Sequence, residues 1–334
     1  MAGVQGSALA IAVTNAGGLG SLPCAMLSPE SVRAEVALMR SGINSSNGDF
    51  GLFNLNFFCH RLPLPDAKTE ATWRDQFSDA YRQYAINPAE INPAPLRRPF
   101  NEEMAAVVEE TKPLLVSFHV GLPETSLLER VKRSGTKIMS TATTVEEAIW
   151  LEAHGVDIVI AQGLEAGGHR GMFLTDDLTT QVGTFALLPQ VIAAVKLPVV
   201  AAGGIVDARG VKAAMELGAA AVQVGTVYML CPEATTSPVH RAALQSDQAQ
   251  HTAITNIFTG RPARGIVNRM IRSLGPINPL APQFPLAVSA SAPLRVKAEA
   301  EGLGDFSPLW AGQNATGCHE MAAGMLTKEL GRLI

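Results

Sequence analysis

The chain has 334 residues, of which 47% are hydrophobic and 17% charged, with a formal net charge of −4. It has no basic block and only 5% aromatic residues, which argues against nucleic acid as a partner. No apolar run approaches the ~20 residues that span a bilayer, and the N-terminus lacks the features of a signal peptide, so we expect no membrane association.

The cysteines and histidines point away from disulfides and metals. Four cysteines are scattered without CxxC spacing, which is typical of reduced thiols, so we expect a cytoplasmic protein. The histidines show no HxxxH or similar spacing, so we expect no metal site. The four cysteines are Cys24, Cys59, Cys231 and Cys318.

Strand and helix patterns alternate along the first two thirds of the chain. Ser28 followed by Pro29 is typical of a helix start, and Gly218 of a helix end. Such alternation predicts parallel βαβ units. Strands are predicted around Leu22, Phe53, Val116, Ile138, Val159, Val200 and Val222; the second is expected to cover residues 50–58. Helices are predicted over residues 7–15, 28–40, 70–84, 102–111, 126–133, 145–154, 185–195 and 208–217.

Seven strands are one fewer than a (β/α)8 barrel needs. Residues 1–6 resemble a strand end that leads straight into a helix, so we expect the first barrel strand upstream of Met1. A doubly wound open sheet is the alternative, but such sheets usually carry an early GxGxxG motif, which the sequence lacks. The sequence therefore predicts an α/β fold of the TIM (β/α)8 barrel type.

Two stretches interrupt or extend the barrel pattern. Residues 61–100 read as an insertion with a Pro-rich second half. From residue 231 the chain is expected to be mainly helical, with a Pro-rich excursion over residues 276–293. We therefore predict a barrel domain over residues 1–230 and a C-terminal region over residues 231–334 that covers the active site.

The stretch that organises the chain is residues 162–171. It follows the apolar run 156–161, and four glycines in nine residues surround His169 and Arg170. Proteins of the α/β class place their chemistry at such strand ends. An unperturbed pKa would let His169 act as a base or as a cation near neutral pH. A structural turn with an exposed histidine is the alternative. His119, in a strand, is by itself more typical of a core residue.

Two further glycine-containing loops follow later strands. Gly203 and Gly204 come after the seventh barrel strand in this count, and Gly225 and Thr226 after the eighth. In barrels of this kind these two loops frequently form a phosphate site from backbone N–H groups. The sequence thus predicts a phosphate-bearing cofactor or substrate.

Two side-chain amides also stand at strand ends. Asn56 and Gln162 could address the edge of a heteroaromatic ring, because an amide both donates and accepts hydrogen bonds. Each is equally typical of a polar residue that only shapes a loop.

Several of these segments together resemble the nitronate monooxygenases, formerly called 2-nitropropane dioxygenases, and in particular their bacterial class. Members of that family are FMN-dependent TIM-barrel enzymes. The segments that carry the resemblance are AGGLG (16–20), NLNFF (54–58), SFHVG (117–121), QGLEAGGHRG (162–171), AAGGI (201–205), QVGT (223–226) and WAGQ (310–313).

The resemblance implies a set of site residues. The family's active-site histidine would be His169, with His119 nearby. Its FMN contacts would fall on Asn56, Gln162, Gly167, Gly203, Gly204, Gln223, Val224, Gly225 and Thr226. The chain departs from some members in its substrate pocket, where they carry tyrosines and a lysine. The corresponding residues here are Phe284, Val288 and Ala292.

The activity implied is oxidation of an alkyl nitronate, such as propionate 3-nitronate, by FMN and O2 to a carbonyl compound and nitrite. Such a reaction would be detoxifying, with a small-molecule substrate and a monomeric or homodimeric enzyme. Two alternatives remain open. One is an NADH-dependent flavin reductase of the enoyl-reductase or quinone-reductase type, since fold alone does not determine function. The other is a non-catalytic barrel that binds FMN or phosphate.

Overall fold

A computed structural model describes residues 2–44, 52–93 and 97–334 of the chain. Its strands are β1 (Gly20–Pro23), β2 (Phe53–Phe58), β3 (Leu115–His119), β4 (Lys137–Ala142), β5 (Ile158–Gln162), β6 (Gly168–His169), β7 (Val199–Ala202), β8 (Ala221–Gln223), β9 (Thr252–Thr255) and β10 (Ala263–Ile266). Its α-helices are α1 (Ser7–Asn15), α2 (Pro29–Gly42), α3 (Ala67–Asp75), α4 (Ser78–Gln83), α5 (Glu102–Thr111), α6 (Thr125–Arg133), α7 (Val145–Ala153), α8 (Thr184–Ala194), α9 (Ala208–Glu216), α10 (Pro238–Leu244), α11 (Arg269–Leu274), α12 (Val288–Ala300) and α13 (Ala323–Gly331).

Seven parallel strands form the centre of the described structure. They lie in the order β1-β2-β3-β4-β5-β7-β8, so that each strand pairs with the next strand of this sheet along the chain, and β6 belongs to another sheet. Helices connect them and pack on the outside of the curled sheet, where they share its main hydrophobic cluster. The predicted strands and the TIM-type α/β barrel are confirmed. Residues 50 and 51 of the second predicted strand, and the strand expected upstream of Met1, lie outside the described residues.

Local sequence signals set the helix boundaries. The hydroxyl of Ser28 accepts a hydrogen bond from the backbone N–H of Ser31, with Pro29 in the first turn of α2. Asp207 caps α9 in the same way, through the N–H of Gly210 at 2.8 Å. These two helices thus begin where a capping side chain satisfies one of their first N–H groups. The parallel strands place their carboxyl ends at one edge of the sheet.

The single helix predicted over residues 70–84 is wrong, because this stretch forms two helices, α3 and α4. No glycine or proline marks the break. The packing determines it instead: Trp73 Nε1 donates to Ala287 O at 3.0 Å, and the Tyr81 hydroxyl donates to Ala290 O at 2.7 Å. These contacts hold the insertion against the C-terminal region, where it shares a second hydrophobic cluster.

The C-terminal region is less helical than expected. β9 and β10 pair antiparallel, and β10 also pairs with β6, aligning Ala263 with His169 and Arg264 with Gly168. Sequence patterns missed this small sheet because β6 is only two residues long and lies nearly 100 residues from its partner. The expected Pro-rich excursion over residues 276–293 is also partly wrong, since α12 begins at Val288 and continues through Pro293. None of the described helices is long and apolar enough to cross a membrane.

Candidate active site

The candidate site lies where β2, β3 and β5 end, because parallel strands place their last side chains at the same edge of the sheet. His119 Nε2 and Gln162 Nε2 both donate to the carbonyl oxygen of His169, at 3.1 and 3.0 Å. Three residues predicted from sequence are therefore in direct contact. The ends of two barrel strands hold the backbone of His169 in place.

His169 does not lie in a flexible loop. It belongs to β6, its backbone pairs with Ala263, and its side chain is only 8% exposed. Its ring centroid lies 5.6 Å from that of Phe58, 5.2 Å from Phe284 and 5.4 Å from Trp310. Three aromatic rings from distant parts of the chain thus enclose it, and the alternative of an exposed turn histidine is wrong.

The hydrogen bonds of His169 define its tautomer. Its Nε2 lies 3.0 Å from Thr259 Oγ1, and that hydroxyl donates to Arg261 O at 3.4 Å. The oxygen of Thr259 therefore accepts the proton of Nε2–H, which leaves Nδ1 with a lone pair. No described residue bonds to Nδ1, so this nitrogen is the atom of His169 that is open to a ligand.

The pKa of His169 is held well below its usual value, chiefly by burial and then by the positive charge of Arg97 and neighbouring groups. The ring is therefore neutral at pH 7. The expectation of an unperturbed pKa is wrong, because desolvation disfavours the imidazolium and no carboxylate pairs with it in the described structure. A site that needs positive charge must obtain it from arginine.

His119 acts through the backbone of His169. Since a carbonyl only accepts, Nε2 of His119 carries the proton and Nδ1 accepts from the Thr141 hydroxyl at 3.0 Å. Burial, the largest cause, lowers the pKa of His119 to about 3, although its backbone partner opposes the shift. Both ring nitrogens are occupied, so His119 positions β6.

A fully hydrogen-bonded polar cluster lies on the opposite side of β6 from the rings. Arg170 is completely buried and donates to Gly163 O at 2.8 Å, to Gln162 O at 2.9 Å and to Gln181 Oε1 at 2.9 Å. The amide of Gln162 is also engaged, since its Oε1 accepts from Gly171 N at 2.8 Å. The sequence predicted Arg170 only as a loop residue. Its buried guanidinium instead holds the loop in place through hydrogen bonds to the carbonyl oxygens of Gln162 and Gly163.

A buried carboxylate completes this cluster. Glu147 accepts from the N–H and hydroxyl of Thr143, at 2.7 and 2.8 Å, and from two backbone N–H groups just after Gly171. Gln181 Nε2 donates to the Thr143 hydroxyl at 3.0 Å, which links Glu147 to Arg170. We call Thr143, Glu147, Gln162, Arg170 and Gln181 the Arg170 network.

Asn56 points into the barrel and bonds to its neighbour strand. Its Nδ2 lies 2.8 Å from the hydroxyl oxygen of Ser117, which also accepts from Asn54 Nδ2 at 2.8 Å. Asn54 Oδ1 is buried without a partner in the described structure. The carbonyl oxygen of Asn56 accepts a bond from Cys24 N, while its side-chain Oδ1 has no described partner and is free to accept.

The glycine loops fit an anion such as a phosphate. Gly203 and Gly204 have φ of +119° and +73°, and a Cβ on Gly203 would lie 2.7 Å from Thr184 Oγ1. No described residue accepts the backbone N–H of Gly204 or Gly225. The hydroxyl oxygen of Thr226 accepts from Gly312 N at 3.0 Å. The glycine backbone of these loops can approach a ligand closely, and the N–H groups of Gly204 and Gly225 are free to donate hydrogen bonds. A bound phosphate needs both features.

The remaining predicted cofactor contacts differ in accessibility. Gly167 packs closely on the C-terminal segment, because a Cβ there would meet the Ala311 carbonyl carbon at 2.6 Å. Gln223 is exposed, and Val224 is half-buried against a hydrophobic cluster. The described residues contain no group of three or more His, Cys, Asp or Glu side chains arranged to hold a metal ion.

The rings around His169 extend to two further histidines at the border of the site. We call Phe58, His60, His119, His169 and Phe284 the ring cluster. His60 Nε2 donates to Arg97 O at 3.0 Å, its Nδ1 is buried without a described partner, and burial lowers its pKa to about 4. The Arg97 guanidinium lies 5.9 Å from the Phe284 ring centre. Sequence reasoning missed Arg97, although paired arginines at residues 97–98 end the Pro-rich segment.

Phe58 also lines a cavity of about 350 Å³ between the end of β1 and the starts of α2 and α5. Its walls are largely apolar and include Ala25, Phe100 and Met104. A cavity of this size accommodates a small organic molecule next to the ring cluster.

Comparison with known proteins agrees with this arrangement. The family model described as nitronate monooxygenase matches residues 1–331. A nitronate monooxygenase from Pseudomonas aeruginosa is 40% identical over 333 residues, which cover 99% of this chain and 93% of that relative.

Two solved structures share the fold. A nitroalkane oxidase from Streptomyces ansochromogenes has a TM-score of 0.88 and 35% identity, covering 99% of this chain and 93% of that one. FabK from Thermotoga maritima has a TM-score of 0.70 and 26% identity, covering 99% and 89%. With its family model matched over nearly the whole length, the chain belongs to the nitronate monooxygenase family, a flavin-dependent class of enzymes.

Proposed function

We propose that this chain binds FMN and oxidises alkyl nitronates with O2, releasing a carbonyl compound and nitrite. The names of its relatives, nitronate monooxygenase and nitroalkane oxidase, support this reaction class. When bound, the flavin supplies the redox chemistry, while the protein binds and orients the substrate. A small nitronate and O2 are then its partners.

The observation that carries the proposal is the neutral His169 ring beside two arginines at the mouth of the barrel. A group with so low a pKa is a weak base, so it deprotonates a neutral nitroalkane poorly. Arg97 and Arg261 supply the positive potential that attracts an anion. The site therefore favours a substrate that arrives already ionised, which a nitronate is.

The residues divide into three roles in this proposal. The backbone N–H groups of Gly203, Gly204, Gly225 and Thr226 would hold the FMN phosphate, and family resemblance adds Asn56, Gln162, Gly167, Gln223 and Val224 as further flavin contacts. His169 orients the nitronate through ring packing alone, because the lone pair on its Nδ1 cannot donate a hydrogen bond to an anion. His119 positions His169 through its carbonyl oxygen.

Oxygen uptake tests the activity directly. The purified protein should show a flavin absorbance spectrum, release FMN on denaturation, and consume O2 with equivalent nitrite when given propyl 1-nitronate. Anaerobic mixing with NADH is the control, because a reductase of the enoyl-reductase type would bleach its flavin rapidly. Fast reduction by NADH without nitronate-dependent O2 uptake would contradict the proposal.

A pair of variants tests the phosphate loop. Gly204→Asp should lower flavin content strongly, because its carboxylate repels the phosphate. Gly204→Ala is the matched control: both variants strain the same positive φ, and a Cβ has ordinary clearance of 3.5 Å from Glu165. Equal flavin content in the two variants would remove this loop from the FMN site.

A further inference from the structure

Backbone hydrogen bonds fix the walls of the cavity beside Phe58. Cys24 N donates to Asn56 O at 2.8 Å, and Phe100 N donates to Phe58 O at 2.8 Å. These bonds join the segment after β1 and the segment before α5 to the end of β2. The cavity of about 350 Å³ between them is therefore formed before any ligand arrives, as sites for small molecules usually are.

The polar groups in the cavity wall are already hydrogen-bonded. The hydroxyl of Ser28 and the side-chain oxygen of Asn101 each accept a backbone N–H in the first turn of a helix, α2 and α5 respectively. The Cys24 thiol donates to Leu22 O at 3.4 Å, and burial raises its pKa, so it stays neutral. Among the described residues, no buried side-chain atom without a hydrogen bond belongs to this wall. The interior therefore offers nothing to an ion and favours an apolar group.

The charged residues of the wall do not select an ion either. They are Arg98 and Glu103, which are both exposed and carry opposite charges. The rest of the wall is mainly hydrocarbon or aromatic, and includes Ala25, Leu27, Phe57, Phe58, Phe100 and Met104. The chemistry that fits the cavity is thus a hydrocarbon chain.

Phe58 belongs to both the cavity wall and the ring cluster. Its ring centroid lies 5.6 Å from that of His169 and 5.0 Å from that of His119. Ala25, Phe58 and Phe284 also form a small buried apolar cluster of their own. The cavity is therefore separated from His169 by a single aromatic ring.

We propose that this cavity binds the hydrocarbon chain of the substrate, so that the site prefers linear nitronates with longer apolar chains. This inference rests on the proposed function and specifies the substrate class of the same site. A nitronate group beside His169 would direct its chain past Ala25 and Phe58 into the cavity. The preference would arise from the apolar area that the chain removes from water.

A series of linear nitronates from ethyl to hexyl tests the preference. In the parent protein, the KM should fall about threefold for each added methylene, as expected for burial of that group. Ala25→Leu adds a branched side chain to the wall that the cavity shares with the ring cluster. It should lower the ratio of kcat/KM for hexyl nitronate to kcat/KM for ethyl nitronate about tenfold or more.

Two further variants complete the series. Met104→Phe reduces the same cavity from the side of α5, so it should lower the hexyl-to-ethyl ratio even if Ala25→Leu fails to fold. Ala153→Leu makes the same substitution as Ala25→Leu at an exposed position on α7, and it should leave the ratio unchanged. A KM that does not depend on chain length in the parent, or equal losses for both substrates in the folded wall variants, would overturn the inference.

Calorimetry with alkyl carboxylates makes the test independent of turnover. In the series from propionate to heptanoate, an inert planar anion replaces the nitronate group. Affinity for the flavin-loaded parent should rise with chain length, and the wall variants should reduce that rise. A parent that shows the rise but consumes no O2 with any nitronate would refute the proposed function and leave the role of the cavity intact. A parent that oxidises nitronates but binds all chain lengths equally would refute the role of the cavity.

Discussion

The two sides of β6 differ in how far their polar groups are satisfied. On one side, the Arg170 network joins a buried guanidinium to a buried carboxylate through Gln181 and Thr143. On the other side, His60 Nδ1 in the ring cluster and the adjacent Arg97 guanidinium have no hydrogen-bond partner among the described residues.

This difference separates a structural role from a binding role. A buried arginine whose hydrogen bonds are all made holds its surroundings rigid and has nothing left for a ligand. An unpartnered, half-buried arginine keeps its binding capacity. We therefore expect changes in the Arg170 network to act on stability, and changes around the ring cluster to act on substrate.

The largest expected effect is on the Arg170 network. Arg170→Met should lower the free energy of unfolding by about 3–5 kcal/mol, because it removes the buried guanidinium that donates to Gln162 O, Gly163 O and Gln181 Oε1. Urea denaturation of the flavin-loaded protein measures this loss.

Arg97→Met is the matched control for that experiment. It makes the same substitution at a half-buried arginine, but it breaks no hydrogen bond in the described structure, so the free energy of unfolding should change by less than about 1 kcal/mol. If Arg170→Met and Arg97→Met lost similar amounts of unfolding free energy, the Arg170 network and the ring cluster would not differ in their structural role.

The next largest effect concerns turnover. His169→Asn removes a ring that packs on Phe58, Phe284 and Trp310, and it should lower kcat by about 100-fold through misplacement of the substrate. The fractional loss should be the same for a nitronate and for the corresponding neutral nitroalkane, since a neutral ring of low pKa is a poor base. A much larger loss with the nitroalkane would make His169 the base.

A smaller effect should appear in the pH dependence of stability. Burial lowers the pKa of His60 to about 4, below the value of about 6.5 in the unfolded chain, so below pH 6.5 the unfolded state binds the proton first. Stability is therefore lost as pH falls from 6.5 toward 4, by about 1.4 kcal/mol per pH unit for this histidine.

Denaturation at pH 6.5 and pH 5 isolates this contribution. His60→Gln should lose less stability than the parent on acidification, by about 2 kcal/mol over that interval. His154→Gln, at an exposed position on the outside of the barrel, should behave like the parent. A parent-like response of His60→Gln would mean that His60 is not buried in its neutral form.

Much of the fold could be predicted from sequence, because local signals determine it. Ser28, Pro29 and Asp207 mark helix starts, and apolar runs mark the strands. The surroundings of His169 could not be predicted in this way. They depend on pairing with Ala263 and on rings from residues as distant as Trp310, and no local pattern encodes such contacts.

The same reasoning explains the incorrect expectation for the His169 pKa. The sequence showed only that glycines flank His169, whereas burial against β10 and aromatic rings decides the protonation state. Arg97 carries no motif of its own. Arg97 stands out only because its guanidinium has no hydrogen bond and no ion pair among the described residues, which the sequence alone does not reveal.

The pH profile of kcat/KM for propyl 1-nitronate tests the central claim most directly, because kcat/KM reports the ionisation of the free enzyme. Initial rates would be measured between pH 6 and 8.5, before the nitronate takes up a proton on carbon. With a neutral His169 and a permanently charged Arg97, the profile should be flat through pH 6.5. A tenfold fall per pH unit above pH 6.5 would show that a histidine cation binds the substrate and would contradict the account.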